Sequence, residues 1–309
     1  MAKPDSGSSP YLPSDETEFE NLSFDPIALE DTCVHKVYDS IAEEFSSTRH
    51  SPWPGVVRFL QGLPMGALGA DIGCGNGKYL LAAVERLSAS LDGQTKTLRL
   101  APILALDRSV RLSQIVYNRG FDVVVGDIMR LPYQAGRLDF FLCIAVIHHL
   151  STAERRLAAI HELSRLLRPG GMGLIQVWAK EQRDPTSSEP APYLRKSKLR
   201  TGGSDMTQVV LEPIKNVHLP LHVSGTEFTS SDMLVPWKRK MIQSLSAQDS
   251  VEESNAEIPG RYYHLFVQGE LDFLIAQVPS LQLLRVYYER GNWAVVVLKI
   301  DPEIHILHD

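Results

Sequence analysis

The chain has 309 residues and a formal net charge of −6, and 44% of its residues are hydrophobic. This length and composition suffice for one sizeable hydrophobic core with appendages. The negative charge excludes a globally basic nucleic-acid binder, so any RNA contact needs a local basic patch, and no apolar run approaches the ~18 residues of a membrane span.

The three cysteines are far apart in the sequence and include no Cys-x-x-Cys pair (Cys33, Cys74 and Cys143). This pattern argues against a disulfide framework and against a metal site built from cysteines of this chain. It favours a reducing compartment, and the N-terminus lacks the basic and apolar regions of a secretory signal. We therefore expect a protein of the cytoplasm or the nucleus that carries no metal of its own.

The N-terminal region divides into a leader and two helices. Residues 1–32 are rich in serine, proline and acidic residues, which predicts a disordered acidic leader before a domain at 33–309. Apolar positions from Val34 to Phe45 follow helical spacing, and Pro54 suits the first turn of a second helix. Between these helices stands a basic and aromatic cluster of Arg49, His50 and Trp53. It is either a loop that packs its tryptophan into a groove or part of a substrate site.

A glycine-rich turn follows the first predicted strand and opens a helix, in the sequence Asp71-Ile72-Gly73-Cys74-Gly75-Asn76-Gly77. Glycines allow such a turn and let a ligand approach the main chain closely. The glycines are spaced more tightly than in the dinucleotide fingerprint, and an acid stands just before the first of them. A carboxylate there disfavours a pyrophosphate and favours a positively charged or zwitterionic ligand, such as S-adenosylmethionine.

The segments after this turn alternate between predicted strands and helices. The predicted strands two to five are 101–106, 123–125, 138–145 and 172–178. Such alternation predicts an α/β fold with a doubly wound, mostly parallel sheet covered on both faces. Two strands at 282–288 and 293–300 flank a short turn, so we expect the sheet to end in a C-terminal antiparallel hairpin.

The alternation is interrupted before this hairpin. We expect a flexible insertion at about 181–230 and a second flexible stretch at about 240–258. Positive charges concentrate at 195–200 and again beside Trp237, at 238–240. Such charge runs occur in solvated linkers, and they also contact phosphates.

Three acidic residues stand at the carboxyl ends of the first three predicted strands, Asp71, Asp107 and Asp127. Ligands of open α/β sheets bind beyond these strand ends. The acid after strand two can accept both ribose hydroxyls, and Asp127 can accept the adenine amino group while the amide of Ile128 donates to a ring nitrogen. With the glycine turn and the terminal hairpin, the chain resembles the class I S-adenosylmethionine-dependent methyltransferases. The resemblance implies cofactor contacts at Tyr38, Asp71, Gly73, Gly75, Asp107, Asp127, Ile128 and Ala145.

More discriminating segments lie outside the glycine turn. They are Arg49-His50 with Trp53-Pro54, Leu234-Val235-Pro236-Trp237, and Arg261-Tyr262-Tyr263-His264. Over about residues 34–299 the chain resembles the tRNA wobble-uridine carboxymethyl methyltransferases, which include the methyltransferase part of an AlkB-homologue fusion protein. It departs from that family in a longer loop at about 88–100.

The resemblance implies methylation of the carboxylate of 5-carboxymethyluridine at the tRNA wobble position. A carboxylate with a pKa near 4 is ionised at neutral pH, so the reaction needs positioning and desolvation instead of a strong base. Arginine suits this task because its fork donates two hydrogen bonds to a carboxylate. The catalytic candidates are Arg49 and Arg261, with His148 orienting the substrate. The substrate-binding candidates are His50, Trp53, Trp178, Trp237 and Tyr262.

The resemblance also implies two partners, tRNA and a small zinc-binding activator protein that adds a strand to the sheet and holds the zinc itself. Two other functions remain open. One is a small-molecule O- or N-methyltransferase, and the other is a non-catalytic paralogue that binds the cofactor as a scaffold. The basic insertion and the segment from Arg261 to His264 favour the RNA enzyme, and the retained strand-end acids argue against a scaffold.

Overall fold

A computed structural model describes residues 24–87, 102–195, 208–210, 217–237 and 260–301, without the side chains of 85–87, 195 and 208–210. Its strands are β1 (Gly69–Ile72), β2 (Leu104–Asp107), β3 (Val123–Val125), β4 (Leu138–Ile144), β5 (Leu167–Trp178), β6 (Gln208–Val210), β7 (His218–Pro220), β8 (Asp232–Val235), β9 (Arg261–His264), β10 (Leu281–Tyr288) and β11 (Asn292–Lys299). Its helices are α1 (Pro26–Glu30), α2 (Lys36–Ser40), α3 (Ala42–Thr48), α4 (Pro54–Gly62), α5 (Lys78–Leu87), α6 (Val110–Asn118), α7 (Ala153–Leu166), α8 (Pro192–Arg195) and α9 (Glu270–Ala276). A π-helical turn (Asp31–His35) joins α1 to α2, and a 3-10 turn (Ile147–His149) follows β4.

The central sheet has seven strands in the order β10-β11-β5-β4-β1-β2-β3. The strands β1 to β5 pair in parallel, and β11 pairs antiparallel with both β5 and β10. This arrangement confirms the predicted doubly wound sheet with its C-terminal antiparallel hairpin. Phe140 to Cys143 in β4 are all fully buried, as expected for a central parallel strand covered on both faces.

The N-terminal helical segment begins earlier than predicted. Asp25 caps α1 by accepting from the amides of Ile27 and Ala28, so residues 24–32 belong to the folded domain. Leu29 and Cys33 are buried in a cluster that includes Tyr262. Burial of these apolar side chains explains why the acidic composition misplaced the boundary at 33. The remainder of the predicted leader, 1–23, lies outside the described residues.

The described parts of the predicted insertion are folded, which corrects the expectation of flexibility there. Gln182, Leu219 and His222 are buried, and Phe228 packs against Trp178. The strand β8 pairs antiparallel with β9, and Leu221, directly after β7, forms a parallel bridge with Leu234 of β8. Residues 196–207 and 211–216, the second predicted flexible stretch at 240–258, and the basic positions 196–200 and 238–240 lie outside the described residues.

Candidate active site

A cavity of about 520 Å³ lies at the carboxyl ends of the parallel strands, under the N-terminal helices. Its walls contain thirteen of the sixteen predicted site residues: Tyr38, Arg49, His50, Trp53, Gly73, Gly75, Asp107, Asp127, Ile128, Ala145, His148, Trp178 and Arg261. Asp71, Trp237 and Tyr262 do not line it. The fold therefore brings the predicted cofactor residues and most of the predicted substrate residues to one space.

The glycine turn forms one wall of this cavity through backbone conformations that require glycine. Gly73 and Gly75 have φ angles of 74° and 58°. A Cβ atom on Gly73 would stand 2.3 Å from a methyl carbon of Val146. Both the left-handed conformation and this close approach therefore exclude a side chain at Gly73.

Asp107 joins the turn to the following helix. One carboxylate oxygen accepts from the amide of Gly75 at 2.7 Å, and the other accepts from the amide of Ser109 at 2.9 Å. Burial raises the pKa of Asp107 to about 6, although these amide bonds oppose the rise. The carboxylate is thus held rigidly at the cavity wall with further lone pairs free to accept hydroxyl groups.

The other two strand-end acids differ in exposure. The Asp127 carboxylate accepts from the amide of Met129 at 2.9 Å and lies 3.6 Å from the guanidinium of Arg108. The Asp71 carboxylate is buried, and neither of its oxygens has a hydrogen-bond partner among the described residues. Burial raises its pKa to about 7, while the charge of Lys78 opposes that rise. Asp71 itself does not line the cavity, but Gly73 and Cys74, which follow it closely in the sequence, do.

Arg261 starts a chain of hydrogen bonds that runs through Tyr263, Tyr38 and His149. Its guanidinium donates to the hydroxyl of Tyr263 at 2.8 Å, and that hydroxyl lies 3.0 Å from the hydroxyl of Tyr38. Tyr38 in turn lies 3.0 Å from Nε2 of His149, whose Nδ1 lies 2.8 Å from the carbonyl oxygen of Tyr262. A guanidinium only donates and a carbonyl only accepts. Each group in this series of hydrogen bonds therefore donates its hydrogen to the next one, from Arg261 towards the carbonyl of Tyr262.

His149 closes this chain as a neutral residue, because burial lowers its pKa to about 3. It donates from Nδ1 and accepts the Tyr38 hydroxyl at Nε2. Tyr38 is therefore fixed by the hydrogen-bond chain, in addition to lining the cavity where the resemblance placed it.

Arg261 is a buried cation without a counter-charge among the described residues. Its side chain forms no ion pair with an acidic residue in the part of the chain that the structure describes, and its Nε has no partner there. The guanidinium lies over aromatic rings instead, 4.9 Å from the ring of Trp237 and 5.2 Å from that of Tyr263. A buried charge is costly unless an opposite charge reaches it, so Arg261 is set up to receive an anion from the cavity.

Trp237 brings the two catalytic candidates together without lining the cavity. The guanidinium of Arg49 lies 5.8 Å from the ring of Trp237, which the guanidinium of Arg261 also contacts. The two arginines are far apart in the sequence but meet at this ring. The indole nitrogen of Trp237 donates to Glu44 at 2.8 Å, which fixes the ring. Trp237 thus supports the arginines through cation–π contacts, and it lies outside the cavity wall, where the sequence predicted a substrate contact.

His148 presents a hydrogen-bond donor. Its Nδ1 accepts from the backbone amide of Trp178 at 3.0 Å, so its hydrogen is on Nε2, which has no partner among the described residues. Burial, with the charges of neighbouring His149 and Arg261, lowers the pKa of His148 well below its ordinary value. The ring is therefore neutral, and its only lone pair is occupied, which suits orientation of a substrate and not proton abstraction.

Tyr262 faces the opposite side of β9 from the cavity, which contradicts its predicted role. Its hydroxyl contacts the carboxylate of Asp232 and the carbonyl oxygen of Ser151. Tyr263 lines the cavity instead and stacks on Trp178, with ring centroids 4.5 Å apart. Successive residues of a strand point to opposite faces. Tyr263, two positions after Arg261, therefore shares its face of β9, and Tyr262 does not.

Within the described residues, no cluster of three or more His, Cys, Asp or Glu side chains has an arrangement that could hold a metal ion. Among the same residues, no helix has the length and hydropathy to span a membrane.

Comparison with known proteins places these features in a family. The family model for a methyltransferase domain matches residues 70–175. The chain is 41% identical over 278 residues to tRNA (carboxymethyluridine(34)-5-O)-methyltransferase alkbh8 of Xenopus tropicalis, covering 88% of this chain and 41% of the relative. It is 35% identical over 281 residues to tRNA (carboxymethyluridine(34)-5-O)-methyltransferase of Schizosaccharomyces pombe, covering 88% of this chain and 99% of the relative. The chain spans less than half the length of the animal relatives and almost the whole of the fission yeast one.

A solved S-adenosylmethionine-dependent methyltransferase from Clostridium acetobutylicum is similar in structure. It is 10% identical in sequence with a TM-score of 0.49, and the match covers 86% of this chain and 97% of that one.

Proposed function

The chain belongs to the family of tRNA (carboxymethyluridine(34)-5-O)-methyltransferases, and from this membership we propose that it methylates the carboxylate of 5-carboxymethyluridine at the tRNA wobble position. The product is the methyl ester. The observation that carries the proposal is the buried guanidinium of Arg261 at the cavity, which no acidic side chain of the described residues pairs with. It calls for an anionic acceptor, and a carboxylate is the acceptor that this chemistry requires.

The residues at the strand ends fit S-adenosylmethionine. Gly73 and Gly75 leave the main chain open to a ligand, Asp107 offers accepting lone pairs, and Asp71 behind them is a buried carboxylate that receives no hydrogen bond from the described residues. Asp127 and Ile128 line the same cavity. When bound, this cofactor supplies an electrophilic methyl group.

The chain's own residues position the acceptor. Arg261 and Arg49 bind and orient the substrate carboxylate, and the Nε2–H of His148 donates to the substrate. The carboxylate is already ionised at neutral pH, so no side chain has to remove a proton. The stacked rings of Trp178 and Tyr263 exclude water from this part of the cavity and offer a flat surface to a flipped base.

This function implies tRNA as the substrate and a small zinc-binding activator protein as a partner. The strand β3 supports the second proposal, because it is the last strand of the sheet in the described part of the chain, and its Val124 and Val125 are 41% and 48% exposed. An added strand from a partner would pair with this edge and cover those side chains.

Two observations argue against the alternative functions. A buried arginine and a second, half-buried one at the ring of Trp237 are not needed by an enzyme that methylates neutral small molecules. A scaffold that only binds cofactor has no use for the hydrogen-bond chain that fixes Arg261 through Tyr263 and Tyr38.

Mass spectrometry of wobble nucleosides from cells that lack this protein tests the proposal. We expect the methyl ester to disappear and carboxymethyl or carbamoylmethyl uridine to accumulate. Return of the wild-type gene should restore the ester, and return of the Arg261→Met variant should not. An unchanged ester level in the deleted cells would contradict the proposed function.

A further inference from the structure

A second cavity, of about 300 Å³, borders the first and is lined by cations. Its charged lining side chains are Arg49, Lys78 and Arg119, and no acidic residue of the described chain lines it. Arg49 and Lys78 also line the first cavity, together with His50, so the two cavities share a wall. A concave space with three converging positive charges is electrostatically suited to an anion.

These cations are held by neutral groups. Arg119 donates to the carbonyl oxygen of Asn76, and to the hydroxyl of Ser46 at 3.0 Å. Arg49 donates to the hydroxyl of Thr48 at 3.1 Å. The Lys78 ammonium lies 4.7 Å from the ring centroid of Trp53. None of the three cations forms an ion pair with an acidic side chain among the described residues, and each guanidinium retains donors for a further acceptor.

The pKa of Lys78 indicates that the second cavity would be stabilised by a bound anion. Burial and the nearby charge of Arg49 lower the pKa of Lys78 to about 8, and the charge of Asp71 only partly offsets them. A bound anion would reverse this change by stabilising the ammonium. The lysine is also the first residue of α5, and the N-terminal end of a helix favours a nearby negative charge.

We propose that this second cavity binds a backbone phosphate of the RNA beside the nucleotide that occupies the first cavity. This inference rests on the proposed function. A flipped nucleotide with its carboxylate at Arg49 and Arg261 would bring its neighbouring phosphate to the shared wall. Arginine forks and a lysine point charge together are a common way of binding phosphate.

The carboxylate of the cofactor is the other anion that the site could take. The lining of the second cavity argues against it, because Gly73, Gly75, Asp107 and Asp127 line only the first cavity. An experiment must nevertheless separate the two anions, since they share the same chemistry.

The test measures binding of the full chain to an anticodon stem-loop RNA that carries 5-carboxymethyluridine, across a salt series. The variant is Arg119→Gln at the C-cap of α6, and Arg111→Gln at an exposed position within α6 is the matched control. We expect Arg119→Gln to weaken RNA binding about tenfold and to reduce the slope of log affinity against log salt by about 0.7, which corresponds to one lost phosphate contact. Arg119→Lys should keep most of the slope, and Arg111→Gln should keep all of it.

Neutral methylphosphonate linkages, placed singly on either side of the wobble nucleotide, identify the phosphate. One of them should weaken binding to the wild type about as much as Arg119→Gln does, and should add nothing in that variant. If the losses of affinity from the neutral linkage and from Arg119→Gln add up, the phosphate does not contact Arg119, and the proposal is overturned. This comparison holds even if the variant is less stable.

Binding of S-adenosylmethionine to the same variants separates the two anions. Loss of cofactor affinity in Arg119→Gln with an unchanged RNA salt slope would assign the second cavity to the cofactor carboxylate and overturn the proposal. If the wild type forms the ester and Arg119→Gln leaves the salt slope unchanged, only the phosphate site is refuted. If the wild type binds the RNA but forms no ester, the proposed function is refuted.

Discussion

The guanidinium of Arg261 donates a hydrogen bond to the hydroxyl of Tyr263 at 2.8 Å, between two residues on the same face of one short strand. The same hydroxyl contacts Tyr38 on an N-terminal helix, and Tyr38 contacts His149 after β4. A single hydrogen-bond chain therefore ties three separate parts of the fold to the orientation of the arginine. Arg261 is held ready for an anion before any substrate arrives, which lowers the cost of ordering it in the reaction.

Removal of one hydroxyl should disturb this orientation without emptying the site. Tyr263→Phe leaves the ring stacked on Trp178 but removes the acceptor for Arg261 and the donor to Tyr38. A lost hydrogen bond to a charged group costs about 1.5 kcal/mol, so we expect kcat/KM for the RNA to fall about tenfold. Steady-state kinetics measure this, with Tyr117→Phe on the exposed surface as the control. Equal values of kcat/KM for Tyr263→Phe and Tyr117→Phe would show that this series of hydrogen bonds does not position Arg261.

The charge and the fork of Arg261 can be separated by two substitutions. Arg261→Lys keeps a positive charge but loses bidentate geometry, and we expect a fall in kcat/KM of roughly 10- to 100-fold. Arg261→Met removes the charge and keeps an apolar stem that can stay beside Trp237, and it should lose more than the lysine variant. Single-turnover rates at saturating cofactor measure both, with Arg111→Met as the control for surface charge. Near wild-type rates in Arg261→Met would exclude this residue from carboxylate binding.

Asp107 should govern cofactor affinity and its dependence on pH. Because burial raises its pKa to about 6, a falling pH protonates the carboxylate and removes the acceptor, so cofactor binding to the wild type should weaken below pH 6. Asp107→Asn cannot accept from both the Gly75 and Ser109 amides, and we expect it to weaken binding roughly tenfold or more.

Isothermal titration calorimetry with S-adenosylmethionine from pH 5 to 8 measures this effect. The exposed Asp122→Asn variant is the control and should follow the wild type. Identical pH profiles for the wild type and Asp107→Asn would contradict the assignment of Asp107.

A buried ionic cluster on the other face of β9 should make stability depend on pH. The ring nitrogens of His264 lie 3.0 Å from Asp232 and 2.5 Å from Glu270. Burial and Arg156 lower the pKa of His264, but the two carboxylates outweigh them and raise it above its ordinary value. The folded pKa exceeds the unfolded one, so this stabilisation is complete below about pH 6.5 and is lost as pH rises through the folded pKa.

His264→Gln should therefore lower the free energy of unfolding most at pH 6, on the order of 3 kcal/mol, and progressively less at higher pH. Urea unfolding at several pH values measures the difference between variant and wild type, in which the other titrating groups cancel. His161→Gln, on an exposed position of α7, is the control. A difference that stays constant with pH would show that His264 is neutral in the folded protein.

The sequence was sufficient for the sheet and for most of the cavity wall. Strands that alternate with helices, acids at strand ends and a glycine turn are local patterns, and the geometry of a parallel sheet brings them to one edge. The substrate role predicted for Tyr262 is wrong, and Tyr263 lines the cavity without having been a candidate. The two-residue period of a strand predicts this, because it places Tyr263 on the same face as Arg261.

Other features depend on contacts that no local pattern encodes. The helix at Pro26 is stabilised by burial of Leu29 against residues near 217 and 234, more than 180 positions away in the sequence. The sequence predicts a substrate contact for Trp237, but its cation–π contacts with Arg49 and Arg261 join the segment after β8 to the N-terminal helices. These are tertiary contacts, so composition and periodicity could not predict them.

The most direct test of the central claim offers the purified protein, with S-adenosylmethionine, two anticodon stem-loop RNAs that differ only at the wobble nucleotide. One carries 5-carboxymethyluridine and the other the neutral 5-carbamoylmethyluridine. Mass spectrometry should detect the methyl ester only from the first RNA, and Arg261→Met should abolish it, because the buried guanidinium selects a carboxylate. Methyl transfer to the neutral RNA at a similar rate, or ester formation that persists in Arg261→Met, would contradict the account.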